Sequence, residues 1–371
     1  MKRKILVDGI SLLSKLTGIG RYTHEVSQHL KNHSDFEVSF FYGYHSKNFI
    51  KTTKNLTSSI KETVSRIPFL KRIIRKLIFL SSKFFSPTYD LYWQPSFIPP
   101  DGLKAKKIVT TVHDFSFILY KDYHPKERTK YFEKFFFKNV VKSDMIITGS
   151  NYSKQEILQR LDFQEEKIRV IHHGLAHEVF KVYEDVNLDF DLPKKFILSV
   201  GSIEPRKNLL GLLNAYNALD DSMKAEYKLV LVGFKGWNND EVMKIINKNK
   251  ENIHYLGFID DIELAKVYNL ASCFVFPSFY EGFGLPPLEA MACGTPVIVS
   301  NTTSIPEVCS DAASYFDPHD TEDIKKKIVL VLNDTNLQKE MIAKGINRAS
   351  KFSWKKSADE HIKVFTEVLE S

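Results

Sequence analysis

The amino-acid sequence predicts an α/β protein made of two doubly wound units that face each other across a cleft. Short aliphatic and β-branched runs alternate with amphipathic helical patterns, which is typical of βα units with parallel sheets. This cycle occurs twice, and the polar, acidic connection YEDVNLDFDLP separates the two rounds. The chain has 371 residues, of which 43% are hydrophobic and 26% charged, as expected for two globular domains.

The first round contains six predicted strands, at residues 4–8, 37–43, 91–93, 107–114, 145–150 and 168–174. Helical patterns lie between them, for example at residues 21–30 and at residues 152–161, where Ser150 is the predicted N-cap. We therefore expect a first Rossmann-like domain over residues 1–175.

The second round contains five predicted strands, at residues 196–201, 228–233, 253–257, 273–278 and 296–300. Their near-continuous apolar character indicates sheets that helices cover on both faces. We expect a second Rossmann-like domain over residues 193–353, joined to the first near residues 175–193. Because open α/β sheets bind ligands beyond the carboxyl ends of their strands, residues that follow strands are the best site candidates.

The stretch EGFGLPPLEAMACGTPVIVS follows one of these strands. Its prolines predict a short helix from about Pro287 to Ala292, and its glycines allow a ligand to approach the backbone closely. The helix start suits a phosphate or pyrophosphate. Glu281 and Glu289 are eight positions apart, so each carboxylate could bind hydroxyls at one end of an elongated ligand with an anionic middle. The alternative is a helix cap with favourably placed acids.

Basic residues follow another strand, in SIEPRKN. Arg206 and Lys207 stand at the start of a helix predicted over residues 208–219, where cations are unfavourable to the helix dipole. A bound anion would explain them, and a solvated basic turn is the alternative.

Glycines and histidines mark further strand ends. LTGIGRY places Gly18 and Gly20 between the first strand and the first helix, which by itself is a weak signal, and Arg21 beside them has no assigned role. His113 ends a predicted strand and is expected to project into the cleft. The neighbouring Asp114 could orient that imidazole, bind an acceptor or cap the following loop. His172 and His173 have no carboxylate or cysteine at metal spacing, which favours a hinge or packing role.

Composition limits where the protein acts. The N-terminus lacks the apolar region of a signal peptide, no apolar run reaches membrane-spanning length, and the three cysteines are widely spaced, so we expect a cytoplasmic protein. A basic, apolar stretch from Arg66 to Phe85 has the pattern of an interfacial helix that binds an anionic membrane surface, or of an ordinary surface helix. No nucleic-acid motif is present.

The stretch from Glu281, together with SVGSIEPRKNL and VHD, resembles the retaining glycosyltransferases of the GT-B fold, family 4. The resemblance covers essentially the whole chain, and the fold it implies is α/β GT-B. It implies that Glu281 contacts the donor sugar, that Glu289 contacts the nucleotide ribose, and that Arg206 and Lys207 neutralise the leaving diphosphate.

The resemblance further implies roles for the following residues: His113 near the donor sugar, Gly18 and Gly20 against the donor phosphates, and the backbone of Phe283, Gly284 and Leu285 around the pyrophosphate. Many relatives carry an arginine where this chain has Ser202, which puts that donor contact in doubt. The pattern at residues 352–370 resembles the last GT-B helix, which crosses back to the N-terminal domain. Its predicted apolar stripe consists of Trp354, Ala358, Ile362, Phe365 and Leu369.

The same segments look most like bacterial mannosyltransferases of surface-polysaccharide assembly. This implies transfer of a hexose, mannose from GDP-mannose, to a lipid-linked or oligosaccharide acceptor in O-antigen or capsule assembly. We expect no cofactor and no metal requirement, because the cations that neutralise the diphosphate are already in the chain. The basic stretch from Arg66 to Phe85 would place the protein peripherally on the inner leaflet of the plasma membrane. The alternatives are other donors (UDP-N-acetylhexosamine, GDP-fucose or dTDP-rhamnose), a sugar-nucleotide epimerase, and a non-catalytic sugar-nucleotide-binding scaffold.

Overall fold

The computed structural model describes residues 2–13, 18–50, 87–100 and 104–371. The predicted interfacial helix from Arg66 to Phe85 lies outside these ranges. Among the helices of the described ranges, none combines the length and the apolar character needed to cross a bilayer.

The first of two sheets has seven strands in the order β3-β2-β1-β4-β5-β6-β7. All neighbours are parallel except β2 and β3. The strands are β1 Arg3–Asp8, β2 Phe36–Phe41, β3 His45–Ser46, β4 Tyr89–Gln94, β5 Ala105–Thr111, β6 Met145–Thr148 and β7 Ile168–Val170. The helices that belong to this part of the chain are α1 Gly18–Asn32, α2 Ser116–Leu119, α3 Lys126–Val140 and α4 Asn151–Arg160, with 3₁₀ turns at Ile10–Leu13, Lys121–Tyr123 and Glu165–Lys167.

The second sheet has six parallel strands in the order β10-β9-β8-β11-β12-β13. They are β8 Phe196–Val200, β9 Lys228–Val232, β10 Ile253–Gly257, β11 Cys273–Phe276, β12 Val297–Ser300 and β13 Ala313–Phe316. The helices are α5 Leu209–Asn217, α6 Asp221–Glu226, α7 Asp240–Lys248, α8 Asp261–Leu270, α9 Leu285–Ala292, α10 Ile305–Cys309, α11 Thr321–Asn333 and α12 Thr335–Ala349, with 3₁₀ turns at Pro205–Lys207 and Ser310–Ala312. We call the unit around the first sheet the first lobe and the unit around the second sheet the second lobe.

The central strands of the second lobe are buried along their whole length. Every residue of β8, β11 and β12 is buried, because helices cover both faces of the sheet. Helix starts are fixed locally: Asp260, Asp320 and Asp334 accept backbone N–H groups at the N-termini of α8, α11 and α12.

The last helix, α13 Trp354–Glu370, packs on the first lobe, which confirms the predicted return of the chain. Ser353 caps its N-terminus, and Phe365 and Val368 join the core around Val7 and Trp93. The predicted apolar stripe is partly wrong. Ile362 and Leu369 are only half-buried, and His361, Val364 and Val368 are buried in their place, because the helix contacts α1 as well as β4 and β5.

Candidate active site

The two lobes meet where the carboxyl ends of their sheets face each other. Gly282 of the second lobe lies against the carbonyl oxygen of His113 in the first, so closely that a Cβ at position 282 would overlap it. Ser150 and Ser153, at the start of α4, donate hydrogen bonds to the Gly282 carbonyl at 2.8 and 3.2 Å. Tyr280 reaches across as well, since its hydroxyl contacts the Glu156 carboxylate and accepts the Phe115 N–H. The absence of a side chain at Gly282 therefore allows this close approach.

We expect the Gly282→Ala variant to hold its two lobes further apart while each lobe stays folded, because the added methyl group would clash with the His113 backbone rather than with a flexible side chain. Small-angle scattering should give a larger radius of gyration than that of wild type. Gly257→Ala is a matched control, since a Cβ there meets nothing within 4 Å, although its φ of +71° brings some local strain. Unchanged scattering in Gly282→Ala would contradict this view of the lobe contact.

Four charged side chains form a cluster beside this contact. The Glu281 carboxylate accepts from Lys207 Nζ at 2.5 Å and from Arg206 Nη1 at 3.2 Å. Arg206 Nη2 pairs with Glu204 at 2.9 Å, and Nη1 also donates to the Tyr280 carbonyl at 2.5 Å. The structure thus brings together three of the four predicted catalytic residues, Glu281, Arg206 and Lys207.

The four side chains are largely buried, and their charges shift the pKa of Glu281 and of Arg206. Burial alone would raise the pKa of Glu281, but Lys207 and Arg206 outweigh it and lower the pKa to about 2. Burial opposes the charge of Arg206, yet Glu281, Asp114 and Glu204 together raise its pKa. Within the described part of the chain, Arg206 Nε is buried and has no hydrogen-bond partner, so one donor of the fork is left for an anion.

Arg206 and Lys207 lie in a separate turn before the helix, a turn that the sequence did not predict. Residues Pro205–Lys207 form a separate 3₁₀ turn, and Asn208, with φ of +51°, caps α5 by accepting the Gly211 N–H at 3.2 Å. The turn therefore holds both cations at the carboxyl end of β8. Ser202 and Lys207 line a small pocket formed where β8, β9 and β11 end, together with Gly201, Tyr255 and Ser278.

Helix α9 begins two residues earlier than predicted. Gly284, with φ of +114°, occupies its N-cap, and Leu285 begins the helix ahead of the two prolines. The Phe283 side chain is buried against the rings of His172, His173 and Phe352, so only its backbone could contact a donor. Gly18 lies opposite, since a Cβ there would be 3.9 Å from the Leu285 side chain. Gly18 and Gly20 both belong to α1, which begins three residues before the predicted start.

Glu289 is buried on α9, and its partner comes from the other lobe. Arg21 Nη1 donates to Glu289 at 2.8 Å, and Arg21 Nη2 donates to Asp261 at 2.5 Å. Sequence reasoning gave Arg21 no role and did not consider Asp261. One feature of the sequence does indicate a role for Arg21. It is a cation in the first turn of a helix, an unfavourable position like the one predicted for Arg206 and Lys207.

His113 lies at the lobe interface, but its ring is buried rather than exposed in a cleft. Its Nε2 pairs with the Pro95 carbonyl at 2.7 Å, and the ring contacts Tyr22, Phe97 and His173. Burial lowers its pKa, which keeps the imidazole neutral near pH 7. Its catalytic role stays a prediction.

The other candidates at strand ends have structural contacts. Asp114 accepts the Ser116 N–H at 2.8 Å, the loop-capping alternative of the three. His172 pairs with Glu307 of the second lobe at 3.1 Å, and Glu307 also accepts N–H groups from Asn151 and Tyr152 at the start of α4. This contact between lobes fits the predicted hinge or packing role. The described residues contain no group of three His, Cys, Asp or Glu side chains arranged to hold a metal.

Two protein families match successive parts of this chain. The family described as Glycosyltransferase Family 4 matches residues 16–179, and the family described as Glycosyl transferases group 1 matches residues 184–348. The O-antigen chain mannosyltransferase B of Escherichia coli is 32% identical, over 94% of this chain and 96% of that protein. The serotype-specific mannosyltransferase WbdA of Escherichia coli is also 32% identical, over 74% of this chain but only 35% of that longer protein.

Solved structures share the fold at low sequence identity. The sucrose-phosphate synthase of Thermosynechococcus elongatus superimposes with a TM-score of 0.75 at 18% identity, over 100% of both chains. The HepE protein of Anabaena, in complex with UDP and glucose, gives a TM-score of 0.69 at 14% identity, over 99% of this chain and 100% of that one.

Proposed function

The chain belongs to glycosyltransferase family 4, whose members are retaining enzymes of the GT-B fold, and we propose that it transfers mannose from GDP-mannose to a lipid-linked or oligosaccharide acceptor in surface-polysaccharide assembly. The observation that carries the choice of sugar is the 32% identity, over nearly the whole chain, to an O-antigen mannosyltransferase. The buried group of Glu281, Arg206 and Lys207 beside a pocket supports a working transferase site.

We propose the following placement of the donor. Its diphosphate lies against the start of α9, Arg206 and Lys207, because that region supplies the positive end of a helix and two cations. The ribose hydroxyls donate to Glu289 and the sugar hydroxyls to Glu281, since both carboxylates are acceptors. The segment that carries His113 forms the first-lobe side of the site, with the His113 ring buried behind that surface.

The chemistry follows from that placement. The acceptor hydroxyl oxygen bonds to the anomeric carbon on the face that the phosphate leaves, and the bond from that carbon to the phosphate oxygen breaks. The departing phosphate oxygen takes the acceptor proton. Negative charge grows on the diphosphate as the bond breaks, so Arg206 and Lys207 stabilise the transition state more than the ground state. Contact of the lobes around Gly282 excludes water that would hydrolyse the donor.

A panel of radiolabelled sugar nucleotides, incubated with the protein and a bacterial lipid extract, tests the choice of donor. We expect label to move from GDP-mannose into lipid or polysaccharide. Transfer from UDP-N-acetylhexosamine, GDP-fucose or dTDP-rhamnose instead would replace the sugar but keep the enzyme class. An isomerised sugar formed from donor alone would indicate an epimerase, and binding without transfer to any acceptor would indicate a scaffold.

We expect turnover to stay within about two-fold of its normal value when a chelator such as EDTA is added, because two side-chain cations already face the position proposed for the diphosphate. The assay compares initial rates with EDTA, with magnesium and with manganese. Loss of turnover that only a divalent ion restores would contradict this assignment of Arg206 and Lys207.

A further inference from the structure

Arg21 joins the two lobes through two carboxylates that lie far from it in the sequence. It sits in the first turn of α1, and its guanidinium reaches Glu289 on α9 at 2.8 Å and Asp261 on α8 at 2.5 Å. The side chains of Arg21 and Glu289 are 15% and 7% exposed, whereas that of Asp261 is 47% exposed. Of the two ion pairs that Arg21 makes, the one with Glu289 is therefore buried.

The position of Arg21 in its own helix does not favour a cation. The first turn of a helix carries partial positive charge, so a guanidinium there is unfavourable unless something else compensates. Two carboxylates from the opposite lobe provide the compensation, and the guanidinium also lies 5.5 Å from the centre of the Phe180 ring. The favourable partners of Arg21 thus belong to the second lobe.

Glu289 keeps acceptor capacity despite this contact. Arg21 uses one carboxylate oxygen, and among the described residues the other accepts only from the Tyr268 hydroxyl at 3.3 Å. A carboxylate offers about four acceptor positions, so hydroxyl donors can still bind. Burial raises the pKa of Glu289, Asp261 raises it further, and Arg21 opposes both. The charged and titratable groups around it are Arg21, Asp261, Tyr268 and the Cys293 thiol.

We propose that Arg21 is a positioning residue: from the first lobe it holds the Glu289 carboxylate ionised and aimed, so that ribose recognition in the second lobe requires the lobes to be closed. This inference rests on the proposed function, in which Glu289 binds the ribose of the donor. It makes Arg21 a determinant of selectivity for ribose over 2′-deoxyribose.

Calorimetry on the full chain tests this with GDP, UDP and the 2′-deoxy form of each. Wild type should bind the ribonucleotide that suits its base pocket about ten-fold more tightly than the deoxy form, since the deoxy form lacks one hydroxyl that can donate a hydrogen bond to the charged carboxylate. Arg21→Gln should weaken ribonucleotide binding about ten-fold, reduce the ratio of the two affinities to about one, and shift the acidic limit of binding to higher pH. A purely structural role would lower both affinities and leave their ratio unchanged.

Two further variants serve as comparisons: one removes the charge of Asp261, and the other removes an unrelated ion pair. Asp261→Asn keeps the Glu289 contact and should weaken binding no more than about two-fold. Arg169→Gln removes an exposed ion pair to Glu367, at 2.6 Å, elsewhere in the molecule and should change neither affinity nor ratio. An Arg21→Gln variant that keeps the wild-type ratio, or that binds GDP more tightly, would overturn the inference. Wild type that binds neither GDP nor UDP would overturn the proposed function instead.

Discussion

The Glu281→Gln variant should transfer sugar about 100- to 1000-fold more slowly than wild type, because an amide accepts sugar hydroxyls less strongly than a carboxylate and no longer holds Arg206 and Lys207 in position. In the structure Lys207 Nζ lies 2.5 Å and Arg206 Nη1 3.2 Å from that carboxylate. Initial rates with saturating donor measure the effect. Glu204→Gln is the matched control, since the Glu204 carboxylate pairs with Arg206 and not with Lys207, and we expect a much smaller loss. Normal transfer by Glu281→Gln would contradict the site assignment.

The same variant should also reveal a pH dependence of stability. The pKa of Glu281 is about 2 in the folded protein and its ordinary value is 4.5, so its ion pairs stabilise the fold fully above about pH 4.5. That contribution is lost as pH falls from 4.5 towards 2. We expect the Tm difference between wild type and Glu281→Gln to be constant near neutral pH and to shrink below pH 4.5. A difference that grows in acid would contradict the ionised, paired state of Glu281.

Arg206→Met should produce the second large loss, about 100-fold in the transfer rate, because it removes a buried guanidinium that faces the proposed diphosphate. It also leaves Glu204 and Glu281 short of a partner, which should lower the free energy of unfolding by about 3 kcal/mol. Thermal unfolding and initial rates measure the two effects separately.

Arg206→Lys separates charge from geometry at this position. A lysine keeps the charge but cannot reproduce the fork that contacts Glu204, Glu281 and the Tyr280 carbonyl together. We expect it to restore most of the stability and only part of the rate. Full recovery of the rate by lysine would show that charge alone is needed.

Strand and helix patterns were sufficient to predict the architecture. The predicted strands all have counterparts, and the central ones of the second lobe are fully buried, as continuous apolar runs indicate. Two strands were missed. His45–Ser46 is two residues long, and Ala313–Phe316 is an edge strand in a segment whose apolar residues are interrupted by serine. Short strands at sheet edges carry too few residues for a period to be recognised.

The residues of the candidate site differ in whether a short segment of sequence is enough to identify them. The spacing of Glu281 and Glu289, and the pair Arg206 and Lys207, can be found within short segments of sequence. The partner of Glu289 could not be found this way, because Arg21 is separated from it by 268 positions and the contact exists only when the lobes face each other. For His113 the sequence shows a strand end, but not the Tyr22 and His173 rings that surround it.

Helix α13 also determines the order in which this protein can mature. Residues of α13 complete the core around Val7 and Trp93, yet the ribosome makes them only after the whole second lobe. A nascent first lobe therefore emerges with part of its apolar interior uncovered and waits for roughly half of the chain before that surface is covered. The first lobe is therefore translated first, but its core is completed only after the second lobe has been made.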